Sequence, residues 1–151
     1  LTGRVDEHGD YLRGLGAGEI LDRADFAEQG KPLQKARFSG VVDTVGSHTL
    51  VNAVAQLKWG GVTAACGMAQ GPDLPGSVLP FILRGVTLVG ANSVDAPAEL
   101  RKRAWALLAR HLDTEVLESL TEEIDLSEVI DAGSELLAGR RHGRTVVRVA
   151  D

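Results

Sequence analysis

The chain has 151 residues, of which 44% are hydrophobic and 25% charged, a balance that is typical of globular proteins and excludes a disordered one. Its net charge of −5 argues against a general nucleic-acid binder, and no apolar run reaches the roughly 18 residues that span a membrane, so neither partner is expected. A single cysteine, Cys66, excludes an internal disulfide and a cysteine-cluster zinc site, and with no visible signal peptide the cytoplasm is the expected location.

The first half of the chain alternates between apolar runs of strand and helix periodicity, as βαβ proteins do. The elements predicted here are a helix over 6–15, a strand over 16–23, a strand over 38–46 and a helix over 48–57. Gly16 is expected to end the first helix as its C-cap glycine. Ser47 is expected to begin the second helix as its N-cap.

The second half continues the alternation and ends in a strand. The elements predicted here are a strand over 60–69, a short helix over 77–85, a strand over 86–94, helices over 96–112 and 126–139, and a strand over 144–150. Aromatic residues make up only 4% of the chain, so its core must consist mainly of Val, Leu and Ala, which suits strands buried on both faces. Together these elements predict an α/β fold.

Each of the three interior strands runs into a turn of small residues at its carboxyl end. These turns are Thr44-Val45-Gly46, Ala65-Cys66-Gly67-Met68 and Gly90-Ala91-Asn92-Ser93. Glycine-rich turns are common in α/β proteins, but three of them at corresponding positions indicate a shared ligand crevice beside the sheet. Asp43 is interpreted as a turn cap rather than a ribose ligand, and Cys66 as a small buried thiol rather than a nucleophile. The four histidines show no metal-ligand spacing.

Three segments are more specific than a general βαβ pattern: "AACGMA" (64–69), "LPFILRGVTLVGANSV" (79–94) and "HGRTVVRV" (142–149). With them, essentially the whole chain resembles the nucleotide-binding half of medium-chain dehydrogenases/reductases. Within that superfamily it is most similar to the zinc-independent quinone-oxidoreductase branch and its NADPH-dependent acryloyl-CoA reductases. The resemblance implies a Rossmann-like parallel sheet with flanking helices and NADPH as the cofactor.

The opening tripeptide Thr2-Gly3-Arg4 matches the turn that ends the second strand of the family's sheet. NADP-dependent members carry a hydroxyl and an arginine there, and an arginine fork suits the 2′-phosphate that an acid would repel. The resemblance therefore implies that Thr2, Gly3 and Arg4 bind the cofactor phosphate. Arg23 stands where relatives add a second cation to the same phosphate. Outside this context, each arginine would be read as an exposed turn residue.

The resemblance also implies contacts at the nicotinamide end of the cofactor. Met68 belongs to the turn after one strand and Ser93 to the turn after the next, and both are expected to line that end through backbone contacts. Ile82, in "PFILRG", matches a further cofactor contact, although an isoleucine in an apolar helix is more often a core residue. No catalytic side chain and no metal ligand are assigned within the chain.

Two parts of the family pattern are absent from the sequence. It has no G-x-G-x-x-G fingerprint, and "GLGAG" (14–18) follows a helix instead of preceding one, which is the wrong context for a pyrophosphate loop. The N-terminal GroES-like catalytic domain is also missing. Residues 1–151 are thus expected to be a partial nucleotide-binding domain that lacks the first strand and most of the second, runs to the natural C-terminus and is inactive by itself.

The expected reaction of the parent protein is reduction of an activated C=C bond, with acryloyl-CoA converted to propionyl-CoA. A quinone or enone reductase on the same scaffold, or a non-catalytic dimerisation or nucleotide-binding module, stays open as an alternative. The partners implied are a small enoyl-CoA or quinone substrate and a second copy of the chain, paired through the sixth-strand edge near 86–90. The basic stretch "GRRHGR" (139–144) is a further candidate contact for CoA phosphates.

Overall fold

The computed structural model describes residues 5–150, and its backbone divides into two compact units, one ending at Ala96 and one beginning at Pro97. The first unit contains, in chain order, α1 (Val5–Gly14), a 3-10 helix (Arg23–Phe26), β1 (Phe38–Asp43), α2 (Ser47–Ala55), β2 (Leu57–Ala65), α3 (Leu79–Arg84) and β3 (Thr87–Gly90). Its three strands form a parallel sheet in the order β1-β2-β3. The predicted α/β architecture with helices flanking a parallel sheet is confirmed.

The core of the first unit lies where α2 packs against the sheet. Leu50 and Val54 of α2 are buried together with Leu57 at the start of β2 and Val86 just before β3. Partly buried apolar side chains surround this cluster: Phe38, Val41, Ala65 and Leu88. The cluster is aliphatic, as the low aromatic content predicts, and it fixes α2 over the strands whose ends form the candidate site.

The second unit is a separate small α/β arrangement. It contains, in chain order, α4 (Ala98–His111), α5 (Thr114–Ser119), β4 (Thr121–Asp125), a 3-10 helix (Leu126–Glu128), α6 (Val129–Leu137) and β5 (Arg144–Arg148). Strands β4 and β5 pair in parallel. The helix predicted over 126–139 thus begins as a 3-10 turn, and Gly139, with φ +70°, follows its end. Among residues 5–150, no helix is long and apolar enough to cross a membrane.

The strand predicted over 16–23 is wrong. Gly16 ends α1 as expected: it adopts φ +98°, and the N–H of Ala17 donates to the carbonyl of Leu12 at 3.0 Å. The chain then runs without a strand to Asp22, whose carboxylate accepts a hydrogen bond from the N–H of Ala24 at 2.8 Å. This side chain caps the start of a 3-10 helix, and Asp22 itself carries only an isolated β-bridge.

The start of α2 also differs from the prediction. Gly46, with φ +76°, occupies the N-cap position, and Ser47 is already the first helical residue, with a positive φ of 46°. The hydroxyl of Ser47 donates to Asp73 at 2.9 Å instead of capping its own helix. At the other end, α2 stops at Ala55, because Leu57 already pairs with Phe38 at the start of β2.

Candidate functional site

The carboxyl ends of the three parallel strands lie in register. Asp43, the last residue of β1, pairs with Ala65 of β2, and Ala65 pairs with Gly90 of β3. The three small-residue turns therefore leave the sheet from a single row. Open α/β sheets bind their ligands at this edge. The three turns therefore lie where a shared ligand crevice was predicted from the sequence.

Backbone hydrogen bonds tie the turns to one another. The N–H of Cys66 donates to the carbonyl of Asp43 at 2.8 Å, and the N–H of Ala91 donates to the carbonyl of Ala65 at 2.9 Å. A Cβ atom placed on Gly67 would lie 2.4 Å from the carbonyl oxygen of Thr44, so only glycine fits at this crossing. The three turns form one continuous rim.

Asp43 caps the turn after β1, as predicted from the sequence. Its side chain is buried, with 5% of the residue exposed, and its carboxylate accepts a hydrogen bond from the N–H of Gly46 at 2.9 Å. The same residue's carbonyl accepts from Cys66, both from the backbone N–H and, at 3.2 Å, from the thiol. Asp43 therefore fixes the turn after β1 and the turn after β2 at once.

The first of two pockets along the rim, which we call the Arg23 pocket, has a volume of about 290 Å³. It is lined by Arg23, Ala27, Val45, Thr49, Ala69 and Gln70. Arg23 is exposed, and no carboxylate within residues 5–150 forms an ion pair with its guanidinium. Thr49 is only 3% exposed, and its hydroxyl oxygen has no hydrogen-bond partner in the same described part. An exposed guanidinium that forms no ion pair within these residues is a feature that an anionic ligand would satisfy.

The second pocket, which we call the Met68 pocket, has a volume of about 400 Å³. It is lined by Ala65, Cys66, Gly67, Met68, Gly90, Ala91 and Asn92. The structure thus brings the turn after β2 and the turn after β3 together, as predicted. Ser93 follows Asn92 directly, and the Asn92 side chain holds this turn by accepting from the N–H of Val94 at 2.8 Å.

One interpretation of a single residue in this region is wrong. Cys66 is exposed at the rim of the Met68 pocket and is not a buried thiol. Its exposure follows from its place just beyond the last paired residue of β2, where the sheet no longer covers it. Ile82, predicted as a cofactor contact, is 70% exposed on α3, so the general expectation that an isoleucine in an apolar helix is a core residue does not hold for it. It lines neither pocket of the rim, and its contact with a cofactor stays a prediction.

The predicted phosphate-binding residues fall into two groups. Thr2, Gly3 and Arg4 lie outside the described residues, and their role stays a prediction. Arg23 lies in the rim pocket beside the turn after β1. The structure therefore places a cation near one end of the row of strand ends, and Met68 beside the other two strand ends.

Gln70 is a site residue that sequence reasoning missed. Its side-chain amide donates to the carbonyl of Ala27 at 2.9 Å and its side-chain oxygen accepts from the N–H of Thr49 at 3.1 Å. These partners lie 43 and 21 residues away in sequence, so no local pattern points to them. The only signal in the sequence is a long polar side chain within a turn of otherwise small residues, "GMAQG" (67–71).

The other candidate contacts for charged ligands lie in the second unit. Arg141, the middle of the basic stretch, donates to Glu122 at 2.6 Å and to Glu135 at 2.7 Å. Its hydrogen bond to Glu135 raises the pKa of the Arg141 guanidinium, so it stays charged and engaged in this ion pair. Across residues 5–150, no group of three His, Cys, Asp or Glu side chains is arranged to hold a metal ion.

Comparisons with known proteins agree with this geometry. The sequence profile described as zinc-binding dehydrogenase matches residues 1–110. The chain is 42% identical over 150 residues to the acrylyl-CoA reductase AcuI of Ruegeria pomeroyi, covering 99% of the chain and 45% of that relative. The chain therefore spans less than half of that relative's length.

Solved structures show the same relationship. The YhdH oxidoreductase of Salmonella enterica, in complex with NADP, matches with a TM-score of 0.93 and 37% identity over 99% of this chain and 46% of that one. The Bacillus subtilis protein YhfP, with NAD bound, matches with a TM-score of 0.89 and 35% identity over 98% of this chain and 45% of that one.

Proposed function

Because the chain belongs to the zinc-binding dehydrogenase family, we propose that residues 1–151 form part of the nucleotide-binding domain of an NADPH-dependent oxidoreductase. The observation that carries this proposal is the register of the strand ends, which places the Arg23 and Met68 pockets on one rim. A dinucleotide is an extended ligand with a charged adenosine end and a nicotinamide end, and two pockets along one sheet edge suit it. The GroES-like catalytic domain is assigned to a part of the protein outside this chain.

The Arg23 pocket suits the adenosine end of NADPH. The exposed guanidinium of Arg23 offers a planar donor fork for the 2′-phosphate. We assign Thr2, Gly3 and Arg4 to the same phosphate on the strength of the family motif. The structure of the YhdH relative with NADP is consistent with this choice, whereas the YhfP relative was solved with NAD.

The Met68 pocket suits the nicotinamide end. Gly67 brings the backbone of its turn against Thr44, so the turn presents backbone groups and the Met68 side chain to the pocket. We assign Met68, Ser93 and Ile82 to contacts with the nicotinamide half of the cofactor. Their part in the reaction is to position the ring and exclude water, because among residues 5–150 the Cys66 thiol is the only titratable side chain that lines this pocket.

The proposed reaction is reduction of the C=C bond of acryloyl-CoA to give propionyl-CoA. When bound, NADPH would supply the hydride that this reduction needs, and solvent the proton that completes it. The similarity to the acrylyl-CoA reductase AcuI supports the thioester substrate. The described residues hold no zinc-ligand set, and no step within this chain is assigned to a metal.

We also propose a homodimer through the free side of β3. This strand has a single neighbour, β2, in the sheet of the first unit, and so within the described residues its other side is available for pairing. Sedimentation velocity of the full-length protein distinguishes a dimer from a monomer.

The test is NADPH oxidation by the full-length protein, followed at 340 nm, with acryloyl-CoA or a quinone as acceptor. We expect turnover with acryloyl-CoA that exceeds turnover with the quinone, and no turnover by residues 1–151 alone. Turnover with the quinone only would move the assignment to a quinone reductase on the same fold. Full-length protein that binds NADPH but reduces neither acceptor would contradict the reductase assignment and favour a nucleotide-binding module.

A further inference from the structure

Gln70 joins three segments that surround the Arg23 pocket. Its side-chain amide donates to the carbonyl of Ala27, at the end of the 3-10 helix that begins with Arg23. Its side-chain oxygen accepts from the N–H of Thr49 in the first turn of α2. Its backbone N–H donates to the carbonyl of Val45 at 2.8 Å. The Gln70 side chain therefore links the segment at Ala27 to the first turn of α2 at Thr49, and so forms one wall of the pocket.

The segment that carries Arg23 is held at both ends. Asp22 caps the start of the 3-10 helix, and Phe26, only 2% exposed, anchors the end of it in the core. Asn52 fixes the far side of the helix by donating to the carbonyls of Phe26 and Glu28 at 2.9 and 2.7 Å. Gln70 adds a link from the rim itself, because its turn also forms the Met68 pocket. The Arg23 segment is thus attached to the core through Asn52 and to the ligand rim through Gln70.

We propose that Gln70 is a positioning residue that fixes the Arg23 segment against the first turn of α2 and so sets the preference for NADPH over NADH. It rests on the proposed role of Arg23 as a ligand of the 2′-phosphate. NADH lacks this phosphate, so a displaced guanidinium weakens NADPH binding and leaves NADH binding nearly unchanged. Gln70 is exposed, and its removal leaves the core around Leu50 and Val54 intact.

The experiment compares Gln70→Ala with the matched control Gln29→Ala in the full-length protein. Gln29 is also an exposed glutamine, and within residues 5–150 its side chain forms a single hydrogen bond, to the neighbouring carbonyl of Gly30 at 3.5 Å. Dissociation constants for NADPH and NADH are measured by cofactor fluorescence. We expect Gln70→Ala to weaken NADPH binding about 3- to 10-fold, in line with the loss of two hydrogen bonds, and NADH binding by less than about 2-fold. The control is expected to change neither constant.

A double-mutant cycle with Arg23→Ala separates positioning from a general loss of structure. If Gln70 acts through Arg23, then Gln70→Ala changes the NADPH dissociation constant by less than about 2-fold once Arg23 is absent. Thermal unfolding of each variant checks that it is folded. Should Gln70→Ala fail to fold, Gln70→Met keeps the length of the side chain and removes the same two bonds.

Four results would overturn the positioning role. One is that Gln70→Ala weakens the binding of NADPH and of NADH equally. Another is that the effects of Gln70→Ala and Arg23→Ala on the binding free energy of NADPH are fully additive. The third is that Gln70→Ala leaves the NADPH dissociation constant unchanged while Arg23→Ala raises it. This result would remove the role of Gln70 but keep that of Arg23. If Arg23→Ala itself leaves the NADPH constant unchanged, the proposed phosphate contact of Arg23 fails, and the positioning role fails with it.

Discussion

Gly67 marks the closest approach between the turns of the candidate site. A Cβ atom there would meet the carbonyl oxygen of Thr44 at 2.4 Å and its Cα atom at 2.9 Å, both of them backbone atoms that cannot turn aside. At the end of β3, by contrast, a Cβ atom on Gly90 would meet no heavy atom within 4 Å. Of these two glycines of the Met68 pocket, Gly67 is therefore required by close packing and Gly90 is not.

We therefore expect Gly67→Ala to lower the free energy of unfolding by about 1–3 kcal/mol, because the two turns must move apart. Gly90→Ala is the matched control and is expected to change it by less than about 0.5 kcal/mol. Urea denaturation of both variants measures the difference. Equal stability of the two variants would contradict the close packing of these turns.

Single residues were predictable from the sequence where their partners are local. Asp43 bonds to Gly46, three residues on, and Gly16 closes α1 through its own helix, so turn and cap rules found both. Ser47 and Gln70 were missed or misassigned, because their partners Asp73 and Ala27 lie 26 and 43 residues away. Long-range side-chain bonds leave no periodic signal in the sequence.

Arg84 holds the elements of the first unit together at the end opposite the candidate site. From the last turn of α3, its guanidinium donates to the carbonyls of Ala55 and Leu57 at 2.9 Å and also to the carbonyl of Gln34. It thereby satisfies carbonyls at the end of α2, the start of β2 and the connecting loop. A positive charge suits the C-terminal end of a helix.

Arg84→Ala is expected to destabilise the protein by about 2–4 kcal/mol, because it removes three charge-assisted hydrogen bonds to partly buried backbone carbonyls. Arg103→Ala, on α4, is the control: Arg103 is exposed, and its removal is expected to change stability by less than about 0.5 kcal/mol. Chemical denaturation compares the two. If Arg84→Ala lowers the free energy of unfolding no more than the control does, then water replaces the hydrogen bonds of the guanidinium and Arg84 does not stabilise the fold.

Elements with strong apolar periodicity were predicted correctly, and the exceptions have identifiable causes. The strand β4 was missed because four of its five residues, in "TEEID", are polar or charged. Its pairing with β5 and the bonds from Arg148 to Glu123 and Asp125 decide its conformation instead. The opposite error arose at 16–23, where a short apolar run forms no strand and leads into the 3-10 helix capped by Asp22.

At the scale of the whole molecule, the order of elements in the sequence was enough to predict the α/β fold and the sheet edge at which the candidate site lies. Three strands separated by helical segments form a parallel sheet, and parallel strands bring their carboxyl ends together. What the sequence could not supply is which side chains meet there. Arg23 and Thr49 share a pocket although 26 residues separate them in sequence, and only the folded structure shows that the hydroxyl of Thr49 has no partner within residues 5–150.

The preference of the full-length protein for NADPH over NADH tests the proposed site most directly. Both dissociation constants are measured by fluorescence titration, for the natural protein and for Arg4→Ala and Arg23→Ala. Two arginines at a 2′-phosphate predict binding of NADPH at least about 10-fold tighter than NADH, with the difference reduced by either substitution. Equal binding of the two cofactors, or tighter binding of NADH, would contradict a phosphate site at this edge of the sheet.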